Sequence, residues 1–337
     1  MKKYIIISIA LLMGFTIKAQ DIHFSQLNTT SMFNSIGSTG AIKSKARFST
    51  HYRNQWASIG SPFVTYGLAV DTKLGPKYWR DKHFGLGLIV FKDQQGELNF
   101  NRLQAKLSLT FHQKIIRNGY LSGGIQVGMT QQSIDMSKGK WDSQFNGKKY
   151  DSDLPSLESK SFSPIYTMDM GAGILFNYDE RKIRTYRRFS KKNLKTLRFG
   201  VSVYHLAQPK ISYYSQNESE KYKIVLFGNT SFDFKEFHFT LVPSFLYQLK
   251  GKEKELVLGT LFNVILRKPS RYTGYYDQVD ISFGGYYRMP NDSFIPAVNF
   301  NYDKFGIGVS YDVNTSELNQ VSNYQGGLEF FLKYEIQ

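Results

Sequence analysis

Apolar and polar residues alternate along most of this chain with a period of two. Between Arg102 and His112, every second side chain is apolar, and the residues between them are Gln104, Lys106, Ser108 and Thr110. The same alternation runs from Phe305 to Asp312. Successive side chains of a strand point to opposite faces of a sheet, whereas a helix repeats every 3.6 residues. The pattern therefore predicts β-strands with one apolar face.

Extended over the whole chain, this alternation predicts fourteen strands, most of them about ten residues long, a length that suits a tilted strand crossing a bilayer. An even number of strands suits a closed antiparallel barrel with both ends in the periplasm. The predicted strands lie near 45–53, 63–73, 83–92, 100–112, 120–133, 164–178, 197–207, 222–233, 237–248, 255–266, 278–288, 294–302, 305–313 and 322–334.

The composition favours a membrane barrel over a soluble sandwich, which also alternates. Aromatic residues make up 16% of the chain, yet its mean hydropathy is −0.36. A barrel reconciles the two values because only its lipid-facing side chains are apolar. Tyrosines near predicted strand ends fit interfacial girdles, for example Tyr286, Tyr287, Tyr302 and Tyr334. The fold class is thus all-β, a transmembrane antiparallel β-barrel of about fourteen strands.

The first nineteen residues have the pattern of a secretory signal peptide. Lys2 and Lys3 precede an apolar run that ends near Ile17, and Ala19 is a small residue suited to the cleavage site. A retained anchor is the alternative, but no stop-transfer pattern follows. Cleavage would remove three lysines and reduce the net charge from +16 to +13. We expect a signal peptide at 1–19, a periplasmic or plug segment at 20–44 and an outer-membrane barrel at 45–337.

The sequence contains few candidates for catalysis, and we expect no enzyme, cofactor or metal site. The chain has no cysteine, and its six histidines form none of the spacings typical of zinc sites. Outer-membrane barrel hydrolases assemble a nucleophile and a histidine from different strands, so His51 or His112 is a candidate for that chemistry. An ordinary polar residue of the barrel interior is the simpler interpretation of each.

A basic stretch lies between the sixth and seventh predicted strands. Residues 179–196 include Arg187, Arg188, Lys191 and Lys192 among eight basic side chains. Nucleic acid is excluded as a partner, because an exported protein does not meet it. Anionic lipid or an acidic envelope protein would neutralise the repulsion between these charges. A solvated loop is the alternative. We expect a partner-contact surface on the periplasmic side.

Two blocks near the start resemble the PorP/SprF family of type IX secretion system outer-membrane proteins. They are Gln20-Asp21-Ile22-His23-Phe24-Ser25-Gln26 and the stretch from Tyr52 to Phe63, which reads YRNQWASIGSPF. The end of the chain is also similar, in Phe305 to Asp312 and in Gly326-Gly327-Leu328-Glu329. Between the two N-terminal blocks, the family's Asn-Pro-Ala-x-x-Gly segment corresponds here to 33–40, which reads FNSIGSTG and lacks the proline.

The resemblance implies a non-enzymatic role in secretion or surface attachment of cargo, such as gliding adhesins. It implies three kinds of partner: the cargo's C-terminal region, type IX components and a periplasmic peptidoglycan-linked protein. Outer-membrane lipid would surround the barrel. We predict partner contacts at Arg53, Asn54, Gln55, Trp56, Arg187, Arg188, Lys191 and Lys192.

Two other functions remain open. A passive porin or solute channel needs a wet lumen, whereas some predicted inward residues here are bulky, namely Ile89, Leu175 and Phe331. A barrel hydrolase needs a clustered nucleophile, base and orienting group, and the sequence does not locate one.

Overall fold

The protein is an antiparallel β-barrel that closes on itself. The computed structural model describes residues 24–57, 60–76, 78–79, 81–157, 162–180, 194–213, 218–234, 239–267, 278–290, 293–316 and 322–336. Over these ranges each strand pairs with the next along the chain, and the last strand pairs with the first. The closing register runs from Ala46 opposite Ile336 to Gln55 opposite Gly327. Closure leaves no unpaired sheet edge, which hydrocarbon would not tolerate.

The described residues form fourteen strands, as predicted, and each predicted boundary lies within four residues of the observed one. The strands are β1 Ala46–Gln55, β2 Phe63–Leu74, β3 Lys82–Gln95, β4 Phe100–Ile116, β5 Gly119–Ser133, β6 Ile165–Asp179, β7 Leu194–Tyr204, β8 Lys223–Phe234, β9 Phe239–Lys250, β10 Glu253–Arg267, β11 Val279–Met289, β12 Ser293–Tyr302, β13 Phe305–Asn314 and β14 Gln325–Ile336.

Apolar side chains cover the outside of the barrel, and polar side chains point inward. On β4, Leu107 is 48% exposed, while the next residue, Ser108, is fully buried. This arrangement places the apolar face toward lipid. Tyr286 departs from the prediction of an aromatic girdle, because it points inward and is 1% exposed. No helix in the described ranges is long and apolar enough to span a membrane.

The two ends of the barrel differ in their connections. The end where β1 begins and β14 ends, here called the terminal end, includes tight turns such as 117–118 and 303–304. The opposite end, here called the distal end, carries the two longest connections, 134–164 and 205–222, whereas the longest connection at the terminal end is 180–193. Glu220 holds the second of these against the wall, through ion pairs with Arg102 at 2.7 Å and Lys250 at 2.8 Å.

Candidate functional site

Residues 24–45, here called the N-terminal segment, lie inside the barrel. No residue from Phe24 to Ile42 is exposed, although the segment contains only one α-helical turn, α1 Ser31–Asn34, and a 3-10 turn at Ile36–Ser38. Its first residues contact the distal ends of the strands, and its last residues precede β1 at the terminal end. The segment therefore passes through the lumen along the barrel axis.

Four buried charged side chains at the distal end, here called the distal charge cluster, hold the start of this segment. They are Arg53, Arg288, Asp312 and Glu329. One carboxylate oxygen of Asp312 accepts from Arg53 at 2.7 Å and from Arg288 at 2.9 Å. Two cations and two carboxylates balance, as a buried ionic group requires.

Ser25 connects the N-terminal segment to the distal charge cluster at three points. Its hydroxyl donates to Asp312 at 2.9 Å and accepts from Arg288 at 2.7 Å. Its backbone N–H donates to Glu329 at 2.8 Å, and the N–H of Gln26 donates to the other oxygen of Glu329 at 3.3 Å. The start of the segment is thus fixed by charge-assisted hydrogen bonds, which are stronger than neutral ones.

A second set of polar contacts holds the segment near the terminal end. Asp71 on β2 forms two hydrogen bonds with Arg47, each 3.0 Å long, and accepts from the backbone N–H of Gly40 at 2.8 Å. A Cβ on Gly85 of β3 would overlap the carbonyl oxygen of Thr39, so the two backbones meet closely only because that position is glycine.

Between these contacts the segment packs on bulky inward side chains. Ile89 lies in a buried cluster with Phe24 and Met32, and Leu175 is fully buried against Gly37. Phe331 is 5% exposed. The bulky inward residues seen in the sequence therefore fill space that a wet channel would leave open.

The two histidines considered for catalysis have structural surroundings. His51 packs between Phe24, Phe33 and Phe331, and neither of its ring nitrogens has a hydrogen-bond partner. His112 lies 2.6 Å from the hydroxyl of Ser122, but its other nitrogen lies 2.8 Å from the carbonyl oxygen of Thr39. Ser122 is fully buried. This pair supports the N-terminal segment at a place where a substrate has no access.

The predicted contact residues on β1 occupy different environments. Arg53 is 1% exposed and belongs to the distal charge cluster, so any effect on a partner would have to pass through the neighbouring loop. Asn54, Gln55 and Trp56 are partly buried at the distal rim, where the Trp56 ring packs on Phe63 at 4.9 Å between centroids. Arg187, Arg188, Lys191 and Lys192 lie outside the described residues. Partner contact by this set stays a prediction.

The charged partners of Arg53 were not predicted from the sequence. Asp312 and Glu329 each lie in a block quoted for the family resemblance, and Arg288 does not. A carboxylate on the inward face of a strand needs a cation nearby, so Asp312 and Glu329 could have predicted a basic partner in the barrel interior. Which cation it meets depends on register, since Glu329 pairs directly with Arg53 and with Ser310.

A polar cavity of about 600 Å³ lies beside the N-terminal segment, toward the terminal end. Its walls come from the inward faces of β7 to β12 and β14, and Asn28 and Thr29 form its inner boundary. Within the described ranges, no group of three or more acidic, histidine or cysteine side chains is arranged to hold a metal ion.

Some solved barrels have a similar fold at low sequence identity. A Pseudomonas aeruginosa FadL homologue is 10% identical, with 92% of this chain and 94% of that chain covered and a TM-score of 0.49. The Pseudomonas putida toluene transporter TodX is 9% identical, with 90% and 91% covered and a TM-score of 0.48. Similarity this weak carries no conclusion about this chain. No curated protein matches it.

The model of the type IX secretion system membrane protein family PorP/SprF matches residues 16–334, nearly the whole chain. The described strands supply the closed barrel with an apolar outer face that such a membrane protein needs. The chain belongs to the PorP/SprF family and is a type IX secretion barrel of the outer membrane.

Proposed function

We propose that this barrel is a non-enzymatic docking component of the type IX secretion system, not a solute channel. It would assist secretion or surface attachment of cargo proteins such as gliding adhesins by holding the cargo's C-terminal region and periplasmic components of the machine. The observation that carries the proposal is the N-terminal segment, which passes through the lumen and is hydrogen-bonded to the wall near both ends.

The two longest connections, 134–164 and 205–222, lie at the distal end and support one orientation. Barrels of the outer membrane have short periplasmic turns and longer extracellular loops. The terminal end would then face the periplasm, and with it the basic stretch 179–196 between β6 and β7. Basic side chains near an anionic bilayer contribute on the order of 1 kcal/mol each. An acidic face on a peptidoglycan-linked partner would be attracted in the same way.

Co-purification tests the docking role. The tagged barrel would be isolated in detergent from secreting cells, and the bound proteins identified by mass spectrometry. We expect type IX components and cargo in the eluate. A variant with Arg187, Arg188, Lys191 and Lys192 changed to Gln should fold normally and retain less of the periplasmic partner. Equal recovery at equal salt would contradict the role of the basic stretch.

Trp56→Ala separates two roles of the distal rim. If Trp56 contacts a partner, the variant should give normal amounts of folded barrel and reduced cargo secretion. If Trp56 only closes the barrel mouth, folding itself should suffer.

Reconstituted wild-type barrel should pass no steady ion current. A stable open conductance, together with undiminished secretion when the barrel is deleted, would favour the porin.

A further inference from the structure

The outer wall of the barrel has a groove of about 380 Å³ where the pairing of β8 with β9 is interrupted. Its apolar border is formed by Leu197, Phe199, Phe245 and Leu258. These side chains lie on the lipid-facing side, because they alternate along their strands with residues that point into the lumen. The groove is therefore continuous with the surface that the bilayer covers.

Small outward residues leave this space open. The outward positions of β8 and β9 at the centre of the groove are Gly228, Thr230 and Pro243. The ring of Phe245 lies over Gly228, and a Cβ on that glycine would overlap it. Residue pairing between the two strands stops after Asn229, so two positions on each strand lack a partner there. The groove thus lies over the weakest part of the seam between β8 and β9.

The inner face of the same stretch is held by the N-terminal segment. The side chain of Asn28 accepts from Ser244 at 2.7 Å and from Asn229 at 3.4 Å. Ser244 and Asn229 are opposite each other and form the last pair before the interruption. Arg198 donates to the carbonyl oxygen of Ala41 at 3.5 Å, also inside the barrel. Because these polar side chains bond within the lumen, the groove outside is bordered mainly by hydrocarbon.

The groove lies in the half of the membrane nearer the terminal end. Leu197 is three residues from the start of β7 at that end, and Thr230 is four residues from the end of β8. Strands rise about 3.3 Å per residue, so both positions lie about 10–13 Å along their strands, within the lipid-facing band. In the proposed orientation this half is the periplasmic leaflet, whose lipids are phospholipids.

The size of the groove fits a single hydrocarbon chain better than a protein segment. A helix with its side chains is about 10–12 Å across, so a space of about 380 Å³ does not admit two turns of it. An acyl chain is narrow and bends at each methylene. An empty groove would deprive the surrounding side chains of van der Waals contacts, and a chain that lies in it restores them.

We propose that this groove binds one acyl chain of a periplasmic-leaflet phospholipid, which supports the wall where the pairing of β8 with β9 is interrupted. Asn28 then holds this part of the wall from the inside, and the lipid chain covers it from the outside. The inference goes beyond the docking function, and only the choice of leaflet depends on the proposed orientation.

The absence of cysteine from the chain allows a direct test. Leu258→Cys places a bimane fluorophore at the groove, and Leu107→Cys places one on the lipid-facing side of β4. The two leucines are similarly exposed, at 43% and 48%. Each purified full-length barrel, in detergent micelles, would be titrated with phosphatidylethanolamine brominated in its acyl chains, because bromine quenches a fluorophore that it contacts.

We expect half-maximal quenching of Leu258→Cys at a lipid concentration at least about ten-fold lower than that for Leu107→Cys, because the groove retains a chain against exchange with detergent. Thr230→Phe in the Leu258→Cys background should fill the groove and raise that concentration to the Leu107→Cys value. Thr50→Phe, at an outward position of β1, is the matched control and should change nothing. Heat-modifiable gel migration checks that each variant is folded. Equal quenching curves for the two labelled barrels would overturn the proposal.

Mass spectrometry of retained lipid identifies the source of the chain. Barrel extracted gently from outer membranes should keep phospholipid, and Thr230→Phe should keep less of it than Thr50→Phe. Recovery of lipid A in place of phospholipid would overturn the assignment to the periplasmic leaflet. Equal retention by the two variants would overturn the groove as the binding site.

Discussion

At the scale of single residues, the distal charge cluster fixes how the N-terminal segment enters the barrel. Asp312 contacts two arginines and the hydroxyl of Ser25, and each of these groups is buried. Removing one partner from such a group leaves a charge without compensation in a site of low dielectric. The position of the N-terminal segment therefore depends on all four charged residues of the cluster.

Asp312→Asn keeps the shape of the side chain and removes its charge. We expect the variant to lose about 3–5 kcal/mol of stability, because Arg53 and Arg288 would share one remaining carboxylate. Urea unfolding in detergent micelles measures the loss. Asp303→Asn, at an exposed turn between β12 and β13, is the control and should unfold like the wild type. Equal stability of the two variants would contradict a structural role for the cluster.

Gly85→Ala tests the close approach of the N-terminal segment to β3. The added methyl would overlap Thr39 and the Thr110 hydroxyl, and overpacking of this kind costs about 1–3 kcal/mol. Gly123→Ala is the matched control, since a methyl there meets nothing within 4 Å. Thermal unfolding should show a lower midpoint for the first variant only. A normal midpoint for Gly85→Ala would show that the segment moves aside easily.

At the scale of strands, two prolines each interrupt the pairing of their strand with one of its two neighbours. Pro243 on β9 is in register with Thr260 on β10, but the pairing with β8 stops between Asn229 and Phe232. Pro296 on β12 pairs with Gly285, and a similar gap faces β13 between Phe294 and Ala297. A proline has no backbone N–H to donate, which explains a gap on one side.

Hydrogen exchange should detect the gap beside Pro243. A missing backbone bond weakens local protection by about 0.5–1.5 kcal/mol, which corresponds to roughly two- to ten-fold faster exchange. Peptides that cover Thr230 and Ser231 should exchange faster than those that cover Leu226 and Phe227. Pro243→Val should slow exchange of the peptides that cover Thr230 and Ser231, because valine restores a backbone N–H donor. If exchange is equally slow along β8 in the wild-type barrel, the gap is filled by other bonds.

At the scale of the whole molecule, the barrel has two unlike ends. The N-terminal segment connects the distal charge cluster at one end with Asp71 near the other, so the lumen and wall form one cooperative unit. The terminal end combines tight turns with the mouth of the polar cavity. The distal end carries the two longest connections, 134–164 and 205–222. These differences predict a single orientation in the membrane.

Labelling of intact cells with a membrane-impermeant maleimide tests that orientation. Lys148→Cys, in the exposed connection between β5 and β6, should be labelled from outside. Arg117→Cys, in the turn between β4 and β5, should be labelled only after the outer membrane is permeabilised. The opposite result would invert the barrel and contradict the proposed periplasmic position of the basic stretch 179–196.

The sequence by itself determined the fold class, the strands and the family. Each inward side chain on a strand must differ in polarity from its lipid-facing neighbour. The alternation is therefore visible within a few residues of the sequence, as in Leu107 and Ser108. Pro243 and Pro296 did not hide their strands, because the alternation continues through both. Ile89, Leu175 and Phe331 already indicated a lumen that is not simply open to water.

Only the tertiary structure decided what fills the lumen and which charges meet. Residues 24–45 have little regular structure of their own, so no local periodicity indicates that they enter the barrel. Ser25 and Asp312 are 287 residues apart, and their contact depends on closure of β14 on β1 and on the register of both seams. The geometry of the closed sheet sets such distant pairings, and short-range sequence patterns do not predict them.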